Sequence, residues 1–200
     1  MLRYISVDLE STGFSPEVNE IIEIGAWKVQ DGVVIDKFHR YIKPVCAIPR
    51  NIEMLTGIFN EDLVAEEPVE TVLVEFFDWC EDYPFLGQKL DFDYRFLCSK
   101  GRPLGLDFSL NKSRMGYDTL KLAKKYLKLE NYKLRTIVNY FGINIDKLST
   151  ENSFHSAKFD AYVTKLVFDR FIQMGNDLLE EQLTGDEYGE VVENATLSFK

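Results

Sequence analysis

Asp8 and Glu10, then Asp93, then His155 and Asp160 are the residues of this 200-residue chain whose types and spacing could do chemistry. Four carboxylates from three separate segments can hold two divalent cations, and a histidine beside them can move a proton. Together they suit the hydrolysis of a phosphodiester. Asp8 and Glu10 stand two apart in an apolar, β-branched stretch, so a strand aims both at one face and Leu9 at the other. Two like charges side by side on such a face repel each other and resist desolvation unless a cation lies between them. Scattered acids on a solvent-facing edge strand are the plainer reading, and the apolar surroundings argue against it. The Ser11-Thr12-Gly13 run that follows lets the backbone turn away and offers donors to a substrate oxygen. Asp93 falls where a short buried strand ending at Gly87 gives way to a helix. The helix dipole favours acids in that first turn, with Asp91 expected as the N-cap and Asp93 free to face a cleft. His155 precedes the last helix and Asp160 lies in its first turns, with Ala157 and Ala161 small enough for a close approach to the sheet. His39 has no comparable partner at a fixed offset and is expected to be structural.

The elements that must position these groups follow from periodicity and punctuation. Segments 3–10, 21–30 and 33–43 read as strands, the second and third joined through Asp31-Gly32, a hairpin signal. Helical spacing follows Pro49 through Met54, and Glu67-Pro68 opens a helix running to about Cys80. A short strand at Pro84–Gly87 leads to a helix over Asp91–Ser99, closed by Gly101-Arg102-Pro103. A brief strand at Tyr117-Asp118 enters a helix reaching about Leu127, and a shorter helix covers Leu134–Phe141 before Gly142. The last helix spans Ser156–Met174 and ends at Gly175. Strands first, then strands mixed with helices, predict an α/β fold: a central mixed five-stranded sheet flanked by helices.

At 46% hydrophobic, the chain can bury one sizeable core. It has no apolar run long enough to span a membrane. Its start lacks the apolar core and small-residue cleavage site of a signal peptide, so a cytoplasmic protein with nothing removed is expected. Cys46, Cys80 and Cys98 are odd in number and show no CxxC spacing, which predicts buried thiols in a reducing compartment. The net charge of −10 opposes nucleic-acid binding at first sight, but seven acids against Lys200 in 176–200 supply −6 of it. Residues 112–135 hold eight bases and two acids, a strip able to grip a phosphate backbone as well as to form an ordinary solvated helix face. A single domain is expected over 1–175, followed by an acidic tail over 176–200, flexible or bound to a partner.

With these residues in order, the chain resembles the DEDDh 3′–5′ exonucleases, the superfamily that includes the epsilon proofreading subunit of bacterial DNA polymerase III. Ile5-Ser6-Val7-Asp8-Leu9-Glu10-Ser11-Thr12-Gly13 matches the first motif and Phe92-Asp93-Tyr94-Arg95-Phe96-Leu97 the second. His155-Ser156-Ala157-Lys158-Phe159-Asp160-Ala161 matches the third, with the five-residue step of the subgroup that uses histidine. Ile21–Ala26, Leu55–Ile58 and Tyr117–Ala123 support the match, which spans roughly 1–174. The resemblance implies an RNase H-like fold and two Mg²⁺ or Mn²⁺ ions held by Asp8, Glu10, Asp93 and Asp160. His155 then takes the proton of the attacking water, a task suited to a side chain type that titrates near neutrality. It further implies substrate contacts from Leu9, Thr12, Leu55, Thr56 and Ile58, with Lys89 and Phe92 joining from the second motif. The implied reaction releases nucleoside 5′-monophosphates from the 3′ end of DNA, single-stranded DNA being favoured, as in proofreading or repair. RNA 3′-end trimming by the same residues is the alternative, and a non-catalytic module bound to a polymerase subunit a third. The family's second motif usually carries His-Asn where this chain has Gln88-Lys89, which bears on substrate preference and rate.

Overall fold

The computed structural model describes residues 2–108, 115–145 and 155–175. The acidic tail 176–200, and Lys112 and Arg114 of the basic strip, lie outside the described residues. Among the described residues, five strands form one mixed sheet: β1 (Arg3–Ser11), β2 (Ile21–Gln30), β3 (Val33–Tyr41), β4 (Phe85–Gly87) and β5 (Met115–Asp118), in the order β3-β2-β1-β4-β5. β1, β2 and β3 pair antiparallel as a meander, while β4 runs parallel to both β1 and β5. The Asp31-Gly32 turn closes the β2–β3 hairpin with both residues at positive φ, 49° and 80°. That is the combination a tight hairpin demands and that Asp and Gly tolerate best. The Asp31 carboxylate also accepts from the Leu2 N–H at 2.9 Å, tying the turn to the start of β1.

Among the described residues, six helices cover the sheet: α1 (Arg50–Thr56), α2 (Val69–Cys80), α3 (Leu90–Gly101), α4 (Thr119–Tyr126), α5 (Leu134–Tyr140) and α6 (Ala157–Met174). The alternation of β1 sorts its two faces. Ile5, Val7 and Leu9 enter a core with Val72, Leu73 and Phe76 of α2 and Leu90, Phe96 and Leu97 of α3. Leu2 and Tyr4 enter a second core with Leu122, Ile137, Val138, Phe159, Val163 and Phe168 from α4, α5 and α6. The molecule is therefore an α/β/α sandwich with helices on both sheet faces, as the order of elements predicts. A smaller cluster of Ile22, Ile48, Ile52, Ile58 and Leu63 anchors α1 to the start of β2.

Two expectations need correction. Asp91 is not the cap of α3: Lys89 occupies that place in a left-handed conformation, φ 67° and ψ 49°. Asp91 lies in the first turn, where it faces Arg95 at 4.0 Å. The helix end is capped instead from β5. The Asp118 carboxylate accepts from Lys89 N at 3.2 Å and Leu90 N at 3.1 Å while also capping its own helix through Leu120 and Lys121. One side chain thus satisfies the open N–H groups of two helices. The three thiols are free, but only Cys80 is buried; Cys46 is exposed, because it follows β3 in an irregular stretch outside both cores.

Candidate active site

The site forms where β1 ends between the two helix layers. β1 supplies Asp8 and Glu10, both half-buried and both on the face toward α6. α3 supplies Asp93 from the opposite layer, 3% exposed. Its carboxylate reaches the strand itself and accepts the Leu9 N–H at 3.0 Å. α6 supplies Asp160 from its first turn, and His155 stands two residues before that helix. The His155 N–H donates to the Asp160 carboxylate at 3.2 Å. His155 holds φ at 76°, a strained choice for a residue with a Cβ and one that clusters at functional sites. Ligand atoms of Glu10, His155 and Asp160 lie within 4.8 Å of one another. All five residues that the sequence singles out therefore meet at one place.

Electrostatics show what this place could hold. Burial, then Asp93, Asp160, Glu10 and Glu23 in that order, push the Asp8 carboxyl well above the ordinary range. Burial first and Glu23 second raise Glu10. Burial raises Asp93 against the Leu9 N–H, which pulls it down. Burial raises Asp160 as well, opposed by the His155 N–H. The buried Asp160 Oδ1 has no hydrogen-bond partner. A set of oxygen ligands that repel one another, with one acceptor left open, fits a hard divalent cation and little else. Asp8, Glu10, Asp93 and Asp160 are the residues that could hold it.

The residues expected at the substrate end divide by exposure. Leu9 and Ile58 are buried in apolar clusters. The Thr12 hydroxyl accepts the Glu20 N–H at 3.0 Å, and the Thr56 hydroxyl donates to Ile52 O at 3.0 Å. Leu55 is exposed at the end of α1. Lys89 is exposed with its ammonium 5.9 Å from the Phe92 ring centre. Gln88 turns inward: its amide oxygen accepts from Thr119 Oγ1 at 2.6 Å and its NH₂ donates to Tyr132 O at 3.0 Å. It ties β4 to α4 and to the loop beyond that helix.

Two residues were overlooked. Glu23, 0% exposed on β2, sits opposite Glu10 in the strand register. His39 does have a partner, contrary to expectation: its Nε2 lies 2.8 Å from Glu23 Oε1. A lone acid inside Ile21-Ile22-Glu23-Ile24 was the available signal. The register that brings His39 to it was not.

Comparison with known proteins agrees with this geometry. The chain is 40% identical over 172 residues to a PolC-type DNA polymerase III of Thermotoga maritima, covering 86% of this chain and 12% of that polymerase. It is 32% identical over 171 residues to the DNA polymerase III subunit epsilon of Aquifex aeolicus, covering 85% of this chain and 80% of that subunit. The nuclease domain of 3′hExo, a DEDDh family member solved with bound rAMP, superposes with a TM-score of 0.70 at 20% identity, covering 86% and 92% of the two chains. That likeness shows the RNase H-like fold. Exonucleases of this kind use divalent metal ions, as the carboxylate set requires. Residues 5–168 match the RNase T exonuclease model from before the first carboxylate to past the last, and the chain belongs to that exonuclease family.

Proposed function

We propose that this chain is a 3′–5′ exonuclease that shortens DNA from a free 3′ end and releases nucleoside 5′-monophosphates, working in proofreading or repair beside a DNA polymerase. The convergence of Glu10, His155 and Asp160 within 4.8 Å carries the reading, because it sets a candidate base against two carboxylates in a place built for cations. Asp8, Glu10, Asp93 and Asp160 would hold two ions, Mg²⁺ or Mn²⁺, which when bound supply charge stabilisation on the phosphate and ease ionisation of water. His155, the exposed member of the group, accepts the proton of the attacking water. Asp160 holds the His155 backbone through its N–H, so base and ligand are set as one unit. Leu55, exposed on α1, Thr12 at the turn after β1 and the buried Ile58 would contact the terminal nucleotide. Leu9 lines the strand end through its backbone, Thr56 shapes the α1 terminus, and Lys89 and Phe92 stand at the α3 end, where the ammonium meets a phosphate.

DNA is favoured because the two polymerase relatives are DNA polymerase III proteins. RNA trimming is the second reading, favoured by the rAMP bound to 3′hExo. Digestion of matched 3′-labelled DNA and RNA oligomers, with and without Mg²⁺, tests both. Stepwise shortening of linear DNA with circular single strands left intact is expected. Rapid nicking of the circle would refute an end-dependent enzyme, and preference for RNA would move the substrate. A chain that digests neither oligomer would be a binding module, and gel filtration with a purified polymerase III catalytic subunit tests that association directly.

A further inference from the structure

The first turn of α6 rests on three alternate residues of β2. Gly25 has no Cβ, and one placed there would overlap the backbone of Ala157 and Lys158. Trp27 Nε1 donates to Lys158 O at 2.9 Å, and its ring lies 5.0 Å from that of Tyr162. Glu23 completes the seat. Its Oε2 accepts the Ala157 N–H at 3.0 Å, and its Oε1 accepts from the Ser156 hydroxyl at 3.2 Å and faces His39 Nε2 at 2.8 Å. Ser156 stands at the N-cap of α6 yet makes no cap bond of its own. Its hydroxyl, and the first open N–H of the helix, go across to the sheet instead. A serine could have capped the helix locally, without a fifth buried carboxylate beside four others. The arrangement makes sense if the link to the sheet, rather than the cap itself, is what matters.

We infer that Glu23, aligned by His39, is a positioning residue that locks the start of α6 to β2 and thereby sets His155 against Glu10 and Asp160. This rests on the exonuclease reading and adds to it a residue pair outside the five-residue set. His155 is joined directly to Ser156 and has a strained backbone, so it depends on that anchorage. Asp160 is a turn further on and has a second anchor nearby, the Ser6 hydroxyl donating to Ala161 O at 2.6 Å. Loss of Glu23 should therefore displace the base more than the ligand.

The test is a double-mutant cycle with purified full-length protein on a 3′-labelled DNA oligomer in Mg²⁺. Glu23→Ala is expected to lower kcat about 10- to 100-fold, as loss of a supporting group does. KM for the oligomer and Mn²⁺ affinity by calorimetry are expected within about threefold of wild type, on the reasoning that unperturbed contacts leave binding unchanged. In a His155→Ala background the same change is expected to cost less than about threefold, because the group it positions is gone. Equal losses in both backgrounds, or no loss in either, would overturn the inference. If Glu23→Ala fails to fold, Glu23→Gln and Ser156→Ala carry the same cycle, each removing part of the lock. A wild-type protein that digests no oligomer would refute the exonuclease reading itself, an outcome distinct from additive losses in an active enzyme.

Discussion

Asp8, Glu10, Asp93 and Asp160 share one property that matters for both stability and function: each folded carboxyl is raised above its ordinary range, with burial the first cause in every case. A raised carboxylate makes the folded state hold protons that the unfolded state has lost. Without cations, this cluster therefore destabilises the protein increasingly as pH climbs from roughly 4, where unfolded carboxylates titrate, through the raised folded values. Asp8→Asn removes one of the repelling charges. It should abolish digestion yet raise stability in EDTA at pH 8 by roughly 1–3 kcal/mol, the scale of the penalty for a buried group left without a partner. Melting curves at pH 5 and 8, with EDTA or Mn²⁺, check this: the gain should shrink at pH 5, and Mn²⁺ should stabilise wild type more than the variant. An active Asp8→Asn protein would sink the ligand assignment. His155 stands outside the carboxylate set, so His155→Ala should retain Mn²⁺ binding and lose on the order of 10²–10⁴ in rate. Calorimetry beside single-turnover digestion separates the two effects, and equal rates would remove His155 from the mechanism.

At the scale of elements, the start of α3 sets the conformation of residues 88 and 89. Residue 89 caps α3 with a left-handed backbone, which asparagine and glycine adopt readily and lysine does not. An asparagine at this place, as the resemblance implies, would hold that backbone readily, whereas the lysine here carries strain alongside an exposed charge. Lys89→Gly should stabilise the fold by about 0.5–1 kcal/mol, measured as the urea midpoint. If the ammonium meets a phosphate, KM for the oligomer should rise in the same variant. A less stable Lys89→Gly protein would contradict the strain argument. Gln88 lies inside a hydrogen-bonded tie among β4, α4 and the following loop. Its role is therefore to hold the edge of the site together.

At the scale of the molecule, charge is distributed in a way that the net value of −10 conceals. Leu122, Ala123 and Leu127 enter the core beneath α4, which leaves Lys121, Lys124, Lys125 and Lys128 on the exposed side. The remaining basic residues Lys133 and Arg135 are exposed at the start of α5. The acids of 176–200 carry charge of the opposite sign. We propose that the body ending at Gly175 is the nuclease domain and that the tail is separable from it. A chain ending at Gly175 should keep its melting temperature and activity, and bind DNA equally or somewhat more tightly in low salt, where like-charge repulsion is least screened. A large fall in melting temperature would show instead that Leu178, Leu179, Leu183, Val191 and Val192 belong to the core. Among the described residues, no helix is long and apolar enough to cross a membrane.

Local chemistry sufficed for the order of the elements, the Asp31-Gly32 turn, the C-terminal ends of α2, α4, α5 and α6 to within a residue and the two faces of β1, because periods of two and 3.6 residues and the preferences of glycine, proline and aspartate act within a few residues. The same locality exposed Asp8 and Glu10, since two acids on one strand face are anomalous without reference to anything distant. Other features required the chain to close on itself. Glu23 meets Ala157 across 134 positions, and Asp118 caps a helix that starts 28 positions earlier. His39 finds Glu23 only through the register of β2 with β3. In each case the partner is chosen by sheet order and helix placement, which depend on how two separate cores fill, and no local pattern encodes that choice.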